Sequence, residues 1–382
     1  MAGIERYLSR LTARVENRVD LAIGRFRGAR NAKQIAAYRG FGNASEVFVW
    51  GRVLANMAPA VSLETDSWWR NLQNTYRRLE SDELPGIVVR ASLAGAHRDA
   101  VTDQEGFFRA WLQLPTPMLP RFWHEGVMRI ESDGVRIEQP FHVITPTSKT
   151  RFGIISDLDD TVVHTRATSP VHMARQILFG NARTRLPFHG VAAFYRALHG
   201  DLSGAAVNPI FYVSSSPWNI YDLLTEFLEL QRIPLGPLML RDWGITEQEI
   251  LPTRHQSHKR AAIRQIMDMY PDLPFILIGD SGQQDPEIYR DVVRDQGERV
   301  LAVYIRNVTP NPMRRKSIED LANEVTKAGS ILLLADDTLA CAQHAASKGW
   351  IPVESLAEIA QEEKQDETIL SPKAETVIVD GS

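Results

Sequence analysis

The sequence predicts an α/β protein whose second half is a three-layer parallel sheet, preceded by a small β-sandwich-like domain and an amphipathic helix. Three observations indicate this. Four aliphatic runs beyond residue 150 alternate with helical stretches, short β-rich runs fill the region before it, and apolar residues near the N-terminus recur at steps of three and four. We therefore divide the chain into 1–40, 45–148 and 150–360, followed by a polar tail at 361–382.

The composition limits which classes of function are possible for this protein. The chain has 382 residues, of which 44% are hydrophobic, enough for more than one core. Because 43 basic and 47 acidic residues give a net charge of -4, we expect no nucleic-acid partner. No apolar run reaches the ~20 residues of a membrane span and no signal-peptide core is evident, so we expect a cytoplasmic protein. The single cysteine, Cys341, lies among small residues, a pattern typical of a buried helix residue.

The first 40 residues predict a basic amphipathic helix. Apolar residues from Ile4 to Phe26 share one face. The opposite side carries a row of arginines: Arg6, Arg10, Arg14, Arg18 and Arg25. Two interpretations stay open, because such a helix either packs on the next domain with its arginines in solvent or lies on an anionic membrane surface. In the second case the protein is peripherally membrane-bound.

The second region consists of short β-rich runs separated by Gly, Pro, Asp and Asn turn signals. VFVWGRVL, GIVVRASL, FFRAWLQL and VMRIE predict strands of a β-sandwich, and TDQEGFF predicts a tight turn at Gly106. A helical insertion from Ser67 to Leu79 carries Trp68 and Trp69, which we expect in the core. The region has no carboxylate pair or metal-spaced histidine cluster, so we expect a positioning or recognition module.

The third region holds the candidate functional residues. FGIIS, PIFYV, PFILI and VLAVYI predict strands of a parallel sheet, and ligands bind such sheets at the carboxyl ends of the strands. The residues that follow these runs are Asp157, Asp159 and Thr161 after the first, Ser214 and Ser215 after the second, Asp280 and Asp285 after the third, and Arg306 after the fourth. Lys259 opens the helix that precedes the third run.

The D-x-D pair of Asp157 and Asp159 suits phosphoryl transfer. One carboxylate can attack phosphorus while the second protonates the leaving oxygen and then activates water. Such crowding of carboxylates is costly without a cation. Mg²⁺ prefers oxygen ligands, and the predicted ligands are Asp157, the carbonyl of Asp159, Asp280 and Asp285.

The remaining polar residues predict a phosphate cradle. The hydroxyl of Ser214 and the ammonium of Lys259 can hold the non-bridging phosphate oxygens. Ser215 is an alternative phosphate donor, and Arg306 is a candidate for a second phosphate or headgroup contact.

An acidic loop beginning at Asp157 could also suggest an EF-hand calcium site. The sequence excludes it, because Val162 stands where that loop needs glycine and Thr168 where it needs glutamate.

The four motifs resemble, in order, those of the haloacid dehalogenase superfamily of phosphohydrolases, whose fold is Rossmann-like. They are Asp157 with Asp159 and Thr161, Ser214, Lys259, and Asp280 with Asp285. More narrowly, DLDDT, YVSSSPWN and IGDSGQQDPEIY, between Phe152 and Pro310, resemble the actin-patch phosphatidate phosphatase family. The resemblance implies magnesium-dependent dephosphorylation with Asp157 as nucleophile and Asp159 as general acid/base. In eukaryotic relatives the substrate is phosphatidate, which yields diacylglycerol.

Three functional hypotheses follow. The leading one is a phosphatidate-type lipid phosphatase of lipid metabolism, because the intervals between Asp157, Ser214 and Lys259 are too short for a large cap domain and an open cleft suits a lipid headgroup. The second is a phosphatase of soluble phosphomonoesters. The third is a non-enzymatic membrane adaptor that retains the fold, against which the intact set of acidic residues and lysine speaks.

Overall fold

The computed structural model of this chain describes residues 33–55, 82–132, 134–158, 190–200, 207–241, 252–308 and 311–370. The predicted arginine face, the Trp68 and Trp69 insertion, Asp159 and Thr161 lie outside these residues. The described chain forms a largely antiparallel β unit and a parallel-sheet α/β unit. No helix in these ranges is both long and apolar enough to cross a membrane.

The β unit is one hydrogen-bonded sheet of nine strands. These are β1 (Lys33–Ala37), β2 (Gly40–Gly42), β3 (Glu46–Ala55), β4 (Asp82–Glu83), β5 (Val88–Leu93), β6 (Ala96–Val101), β7 (Phe107–Gln113), β8 (Trp123–Ser132) and β9 (Val135–Ile144). The main path runs β1-β3-β2-β9-β8-β5-β6, with β4 and β7 joined to β3. Apolar residues of β3, β5, β7, β8 and β9 pack into one shared core. Gly106, at φ 78°, makes the predicted turn before β7.

The predicted N-terminal helix does not extend to Gly40. Residues Lys33–Ala37 are β1, which pairs antiparallel with β3 and places Lys33 opposite Ala55. The physical reason is that the helical repeat of apolar residues ends at Phe26, whereas β3 presents backbone groups that β1 can pair with. At Gly40 a Cβ atom would lie 2.6 Å from the carbonyl oxygen of Phe48, so this strand contact requires glycine.

The α/β unit contains six strands that all pair in parallel. They are β10 (Gly153–Asp157), β11 (Ile210–Pro217), β12 (Leu238–Arg241), β13 (Phe275–Asp280), β14 (Val300–Arg306) and β15 (Leu332–Ala335), in the order β12-β11-β10-β13-β14-β15. Strands occupy the four aliphatic runs, and the short strands β12 and β15 add the two edges. After β10 the chain first forms β11 on one side of this strand and later forms β13 on its other side. This is the switch point at which open parallel sheets bind ligands.

Seven helices are described between and after these strands: α1 (Val191–His199), α2 (Tyr221–Leu230), α3 (Pro252–Met269), α4 (Asp285–Gln296), α5 (Pro312–Lys327), α6 (Thr338–Ser347) and α7 (Ser355–Leu370). Cys341 is buried in α6, as its sequence context predicts, and burial raises the pKa of its thiol to about 12. This thiol is therefore protonated at neutral pH and is not a nucleophile.

The predicted polar tail from residue 361 is wrong for its first ten residues, because α7 continues to Leu370. Its acidic residues anchor the helix. Glu362 accepts a hydrogen bond of 2.5 Å from Arg196 of α1, and Glu363 accepts one of 3.0 Å from the backbone N–H of Thr338 at the start of α6. A polar composition predicts solvation, whereas here the carboxylates bind donors that only the fold brings near.

An aromatic cluster joins the two units. Tyr38 stacks on Trp218 with ring centroids 4.6 Å apart, and Phe41 meets Phe211 edge-on at 5.6 Å. Trp50 approaches the same Trp218 at 6.2 Å. These residues belong to one continuous apolar cluster that includes the core of the parallel sheet. The β unit therefore packs on the α/β unit through a hydrophobic contact, to which the backbone N–H of Arg39 adds a hydrogen bond of 3.0 Å to Tyr221 Oη.

Candidate active site

The acidic residues predicted at strand ends meet at the switch point. Asp157 ends β10 and Asp280 ends the neighbouring strand β13. Asp285 is the first residue of α4, which follows β13. Lys259 lies within α3 and does not open it as predicted, because this helix already begins at Pro252. The parallel register thus brings Asp157 to the same carboxyl end of the sheet as Asp280, which lies more than one hundred positions later in the chain.

Lys259 bridges two carboxylates. Its ammonium donates to Asp157 Oδ1 at 2.9 Å and to Asp285 Oδ1 at 3.0 Å, and it lies 3.5 Å from Gln283 Oε1. The side chains of Lys259, Asp157 and Asp285 are 4%, 3% and 0% exposed. Because buried charges are costly unless they are paired, this bridge is the main electrostatic feature of the site.

Asp280 is held by the loop that follows it. Its Oδ1 accepts backbone N–H bonds from Gly282 at 2.6 Å and from Gln283 at 3.2 Å, while its own N–H donates to Asp285 Oδ2 at 3.2 Å. Asp285 therefore orients both Lys259 through one oxygen and the backbone of Asp280 through the other. This explains in physical terms why the two acidic residues stand five positions apart.

The cluster fits a hard divalent cation. One carboxylate oxygen from each of Asp157, Asp280 and Asp285 lies within 4.8 Å of the other two. All three donors are oxygens, and three carboxylates against the one ammonium of Lys259 leave two net negative charges within the cluster. Mg²⁺ prefers this donor set and would offset that charge.

Gly279 makes the approach of Asp285 possible. A Cβ atom at this position would lie 2.5 Å from Asp285 Oδ2 and 2.8 Å from its Cβ. We expect Gly279→Ala to displace Asp285, to destabilise the protein by about 1–3 kcal/mol as overpacking does, and to weaken magnesium binding. Denaturant unfolding and magnesium titration would measure the two effects. Unchanged magnesium affinity would contradict the role assigned to Asp285.

The predicted serines lie beside the nucleophile candidate. Val213 of β11 is in register with Asp157, so Ser214 and Ser215 lie near the same carboxyl end of the sheet, and both are buried. They do not follow the strand as predicted, because β11 continues through them to Pro217. Ser214 Oγ accepts a hydrogen bond of 3.0 Å from the backbone N–H of Ser216, which orients its hydroxyl group.

Arg306, the predicted phosphate or headgroup contact, forms a hydrogen bond with α6. It ends β14, and its Nη1 donates to Thr338 Oγ1 at 2.7 Å. Thr338 follows β15, whereas Asp280 lies on β13, on the other side of β14. Burial lowers the pKa of the Arg306 guanidinium. This contact ties Arg306 to α6, and its role as a phosphate or headgroup contact stays a prediction.

Arg314 holds the loop after β13 and was not predicted. Its Nε donates to the carbonyl oxygen of Ser281 at 2.9 Å, and its Nη2 donates to the carbonyl oxygen of Gln283 and, at 3.1 Å, to Glu287 Oε2. The sequence signal available was the Asn311 cap before α5, which places Arg314 in the first turn but does not indicate what it contacts.

A second unpredicted contact lies behind Asp157. Ser156 Oγ and Tyr195 Oη share a hydrogen bond of 2.6 Å, which ties the end of β10 to α1. Burial raises the pKa of the Tyr195 hydroxyl, so this group is neutral and serves as a structural link.

We expect Arg314→Met to raise the magnesium concentration needed for half-maximal activity by about tenfold, because the loop that fixes Asp280 loses its clamp. The matched control is Arg315→Met, since the described contact of the Arg315 side chain is with the exposed Asp336. Magnesium titrations of activity in both variants would test this. An equal shift in both variants, or in neither, would contradict a positioning role for Arg314.

The comparisons with known proteins point to one family. Residues 152–307 match the family model described as the catalytic domain of phosphatidate phosphatase APP1. The resemblance to this phosphatidate phosphatase family is confirmed. The match covers every described candidate residue: Asp157, Ser214, Ser215, Lys259, Asp280, Asp285 and Arg306.

Two curated relatives are similar over parts of their length. Phosphatidate phosphatase APP1 of Saccharomyces cerevisiae is 32% identical over 155 residues, which are 40% of this chain and 25% of the yeast protein. An uncharacterized protein of Schizosaccharomyces pombe is 27% identical over 219 residues, or 56% of this chain and 35% of that protein. The chain thus spans about a quarter to a third of the length of these relatives.

Solved structures add no argument on function. The apo structure of Bacteroides uniformis beta-glucuronidase 3 aligns with 72% of this chain and 34% of that chain, at 9% identity and a TM-score of 0.21. The PilB minor pilin from Streptococcus sanguinis reaches a TM-score of 0.25 at 9% identity, over 74% of this chain and 88% of that one.

Proposed function

We propose that the protein is a magnesium-dependent phosphomonoester hydrolase of the haloacid dehalogenase type, which acts through an aspartyl-phosphate on phosphatidate or a related lipid phosphate. The observation that carries this proposal is the Lys259 bridge between Asp157 and Asp285, at the switch point of a parallel sheet. The similarity of this segment to the catalytic domain of a phosphatidate phosphatase supports the substrate class.

In the first step an oxygen of Asp157 attacks phosphorus. Lys259 fixes the orientation of this carboxylate through Oδ1. A bond forms between the Asp157 oxygen and phosphorus, the ester P–O bond breaks, and the departing alcohol takes a proton from Asp159. For phosphatidate this alcohol is diacylglycerol.

In the second step Asp159 takes a proton from water as that water attacks the phosphorus of the aspartyl-phosphate. The bond between the Asp157 oxygen and phosphorus breaks, inorganic phosphate leaves, and Asp159 returns to its protonated form. The ammonium of Lys259 and the hydroxyl of Ser214 stabilise the negative charge on the phosphate oxygens in both steps.

Asp157, Asp280, Asp285 and the carbonyl of Asp159 would hold magnesium. When bound, the ion supplies positive charge that offsets the repulsion between the phosphate and the attacking carboxylate. The backbone N–H groups of Gly282 and Gln283 hold Oδ1 of the Asp280 carboxylate in place.

We further propose that the protein works at the surface of an anionic membrane from the cytoplasmic side. Its substrate class supports this location, since phosphatidate resides in the bilayer. A phosphatase of soluble phosphomonoesters would use the same carboxylates and is the second candidate.

The test is phosphate release, with and without magnesium, from phosphatidate in mixed micelles and from a panel of soluble phosphomonoesters. Magnesium-dependent release from phosphatidate is the expected result. Release from soluble esters alone would reject the lipid substrate and keep the chemistry. If no ester released phosphate, the enzyme proposal would fail and a non-enzymatic adaptor would be favoured.

A further inference from the structure

A second concave site lies between the two units, at the end of the parallel sheet opposite the carboxylate cluster. It is a cavity of about 610 Å³, and its lining includes Arg39, Trp123, Arg196, Arg232, Pro234 and Leu235. Arg39 and Trp123 belong to the β unit, whereas Arg196 and the other three residues belong to the α/β unit and precede β11 or β12. The cavity therefore faces the amino ends of these strands, and the carboxylate cluster faces their carboxyl ends.

The charged side chains that line this cavity are arginines. None of the described residues that line it is acidic. Arg39 and Arg196 are neutralised by carboxylates outside the lining, since Arg39 lies 3.7 Å from Glu229, and Arg196 lies 2.7 Å from Glu358 and 2.5 Å from Glu362. Arg232 is exposed, and no carboxylate of the described chain lies within ion-pair distance of it. Arg232 thus contributes the guanidinium that an anion can bind.

The backbone at Arg232 is strained. Its φ is 54°, a left-handed conformation that glycine adopts without cost and other residues adopt rarely. This conformation ends α2, because the N–H of Arg232 bonds the carbonyl of Glu229 and the N–H of Ile233 bonds that of Leu228. Glycine would suit this position better. An arginine held in such a conformation at a cavity mouth suggests that its side chain has a use there.

The walls of the cavity are largely apolar. Trp123, Pro234 and Leu235 supply hydrophobic surface. His199 adds an uncharged ring, because its Nδ1 donates to the carbonyl of Asn208 at 2.8 Å and burial lowers the pKa of this imidazole. The volume lies within the range of roughly 300–1,000 Å³ that is typical of small-molecule sites.

We propose that this cavity is a second ligand site that binds an amphipathic anion. Arg232 binds the carboxylate, sulfate or phosphate group of the ligand, and the apolar walls contact the hydrocarbon chain of the ligand. The ligand is bound there and not converted, because the described lining contains no carboxylate that could act as nucleophile. Binding stabilises the contact between the two units, since both supply lining residues.

The test is isothermal titration calorimetry of the full chain with octanoate and with octyl sulfate, neither of which is a phosphomonoester. Inorganic sulfate and octyl glucoside are the comparison ligands that lack the apolar chain and the charge, respectively. We expect both amphipathic anions to bind and both comparison ligands to bind at least tenfold more weakly. Equal binding of either comparison ligand, or no binding of the two anions, would overturn the proposal.

Two variants at Arg232 separate ligand binding from stability. We expect Arg232→Gln to weaken octyl sulfate binding by about tenfold, the effect of losing one charge-assisted hydrogen bond. The control Arg264→Gln, which removes an exposed arginine of α3 paired with Asp268, should leave binding unchanged. Arg232→Gly should bind as weakly as Arg232→Gln, yet its ligand-free melting temperature should rise by about 2 °C because the strain is relieved. Unaltered affinity in both Arg232 variants would refute the assignment.

Discussion

Asparagine at position 157 is expected to abolish phosphate release, with a loss of at least roughly a thousandfold, because the amide cannot attack phosphorus. Asparagine has the same shape as aspartate, and its Oδ1 can still accept the hydrogen bond that Lys259 donates at 2.9 Å. The variant should therefore fold. Phosphate release from phosphatidate, alongside circular dichroism and thermal unfolding, measures the effect.

The matched control for this change is Asp99→Asn, since Asp99 also pairs with a basic residue, Arg90, but on the exposed surface of the β unit. It should retain full activity. If Asp157→Asn kept even a tenth of the wild-type rate with every ester tested, the covalent mechanism would be wrong and a water-attack mechanism would replace it.

Replacement of Lys259 by methionine should have the second largest effect, because it acts on both stability and activity. The change leaves Asp157 and Asp285 buried without the ammonium that lies 2.9 and 3.0 Å from them. Removing one partner of a buried ion pair typically costs about 3–5 kcal/mol of unfolding free energy. Loss of the same positive charge near the phosphate should lower the rate by about a hundredfold or more. Denaturant unfolding and phosphate release measure these two effects.

Arg260→Met is the control, because Arg260 is the next residue along α3, is 41% exposed and pairs with Asp291 and Asp295 at the surface. Such surface pairs contribute roughly 0–1 kcal/mol, so little change is expected. Magnesium should restore part of the stability lost in Lys259→Met, since a cation can replace the missing charge. If magnesium stabilised this variant no more than the wild type, the carboxylate cluster would not be the metal site.

Local patterns in the sequence located the parts of the candidate site that depend on nearest neighbours in the chain. A strand whose two faces are covered is aliphatic throughout, so the runs FGIIS and PFILI predict two buried strands. They thereby also indicate which acidic residues lie at the strand ends. The turn at Gly106 and the burial of Cys341 are equally local, because each depends on a short run of small residues or turn-forming residues.

The tertiary structure decided what depends on contacts between distant segments. The predicted helix end at Gly40 and the predicted tail at residue 361 were wrong, since β1 pairs with β3 and the acidic residues of α7 bind Arg196 and Thr338. The sequence places Arg306 at a strand end, and only the fold shows that its guanidinium donates a hydrogen bond to Thr338 of α6.

The sequence by itself determined which chemical groups this protein supplies to the candidate site: carboxylates and serine hydroxyls near strand ends, and one lysine on a helix. Only the tertiary structure decided that Lys259 bridges Asp157 and Asp285, that Arg314 clamps the loop after Asp280, and that residues of both units line a cavity with three arginines. The physical reason is that periodicity and turn chemistry act over a few residues, whereas ion pairs and cavities depend on distances between segments that the chain order leaves open.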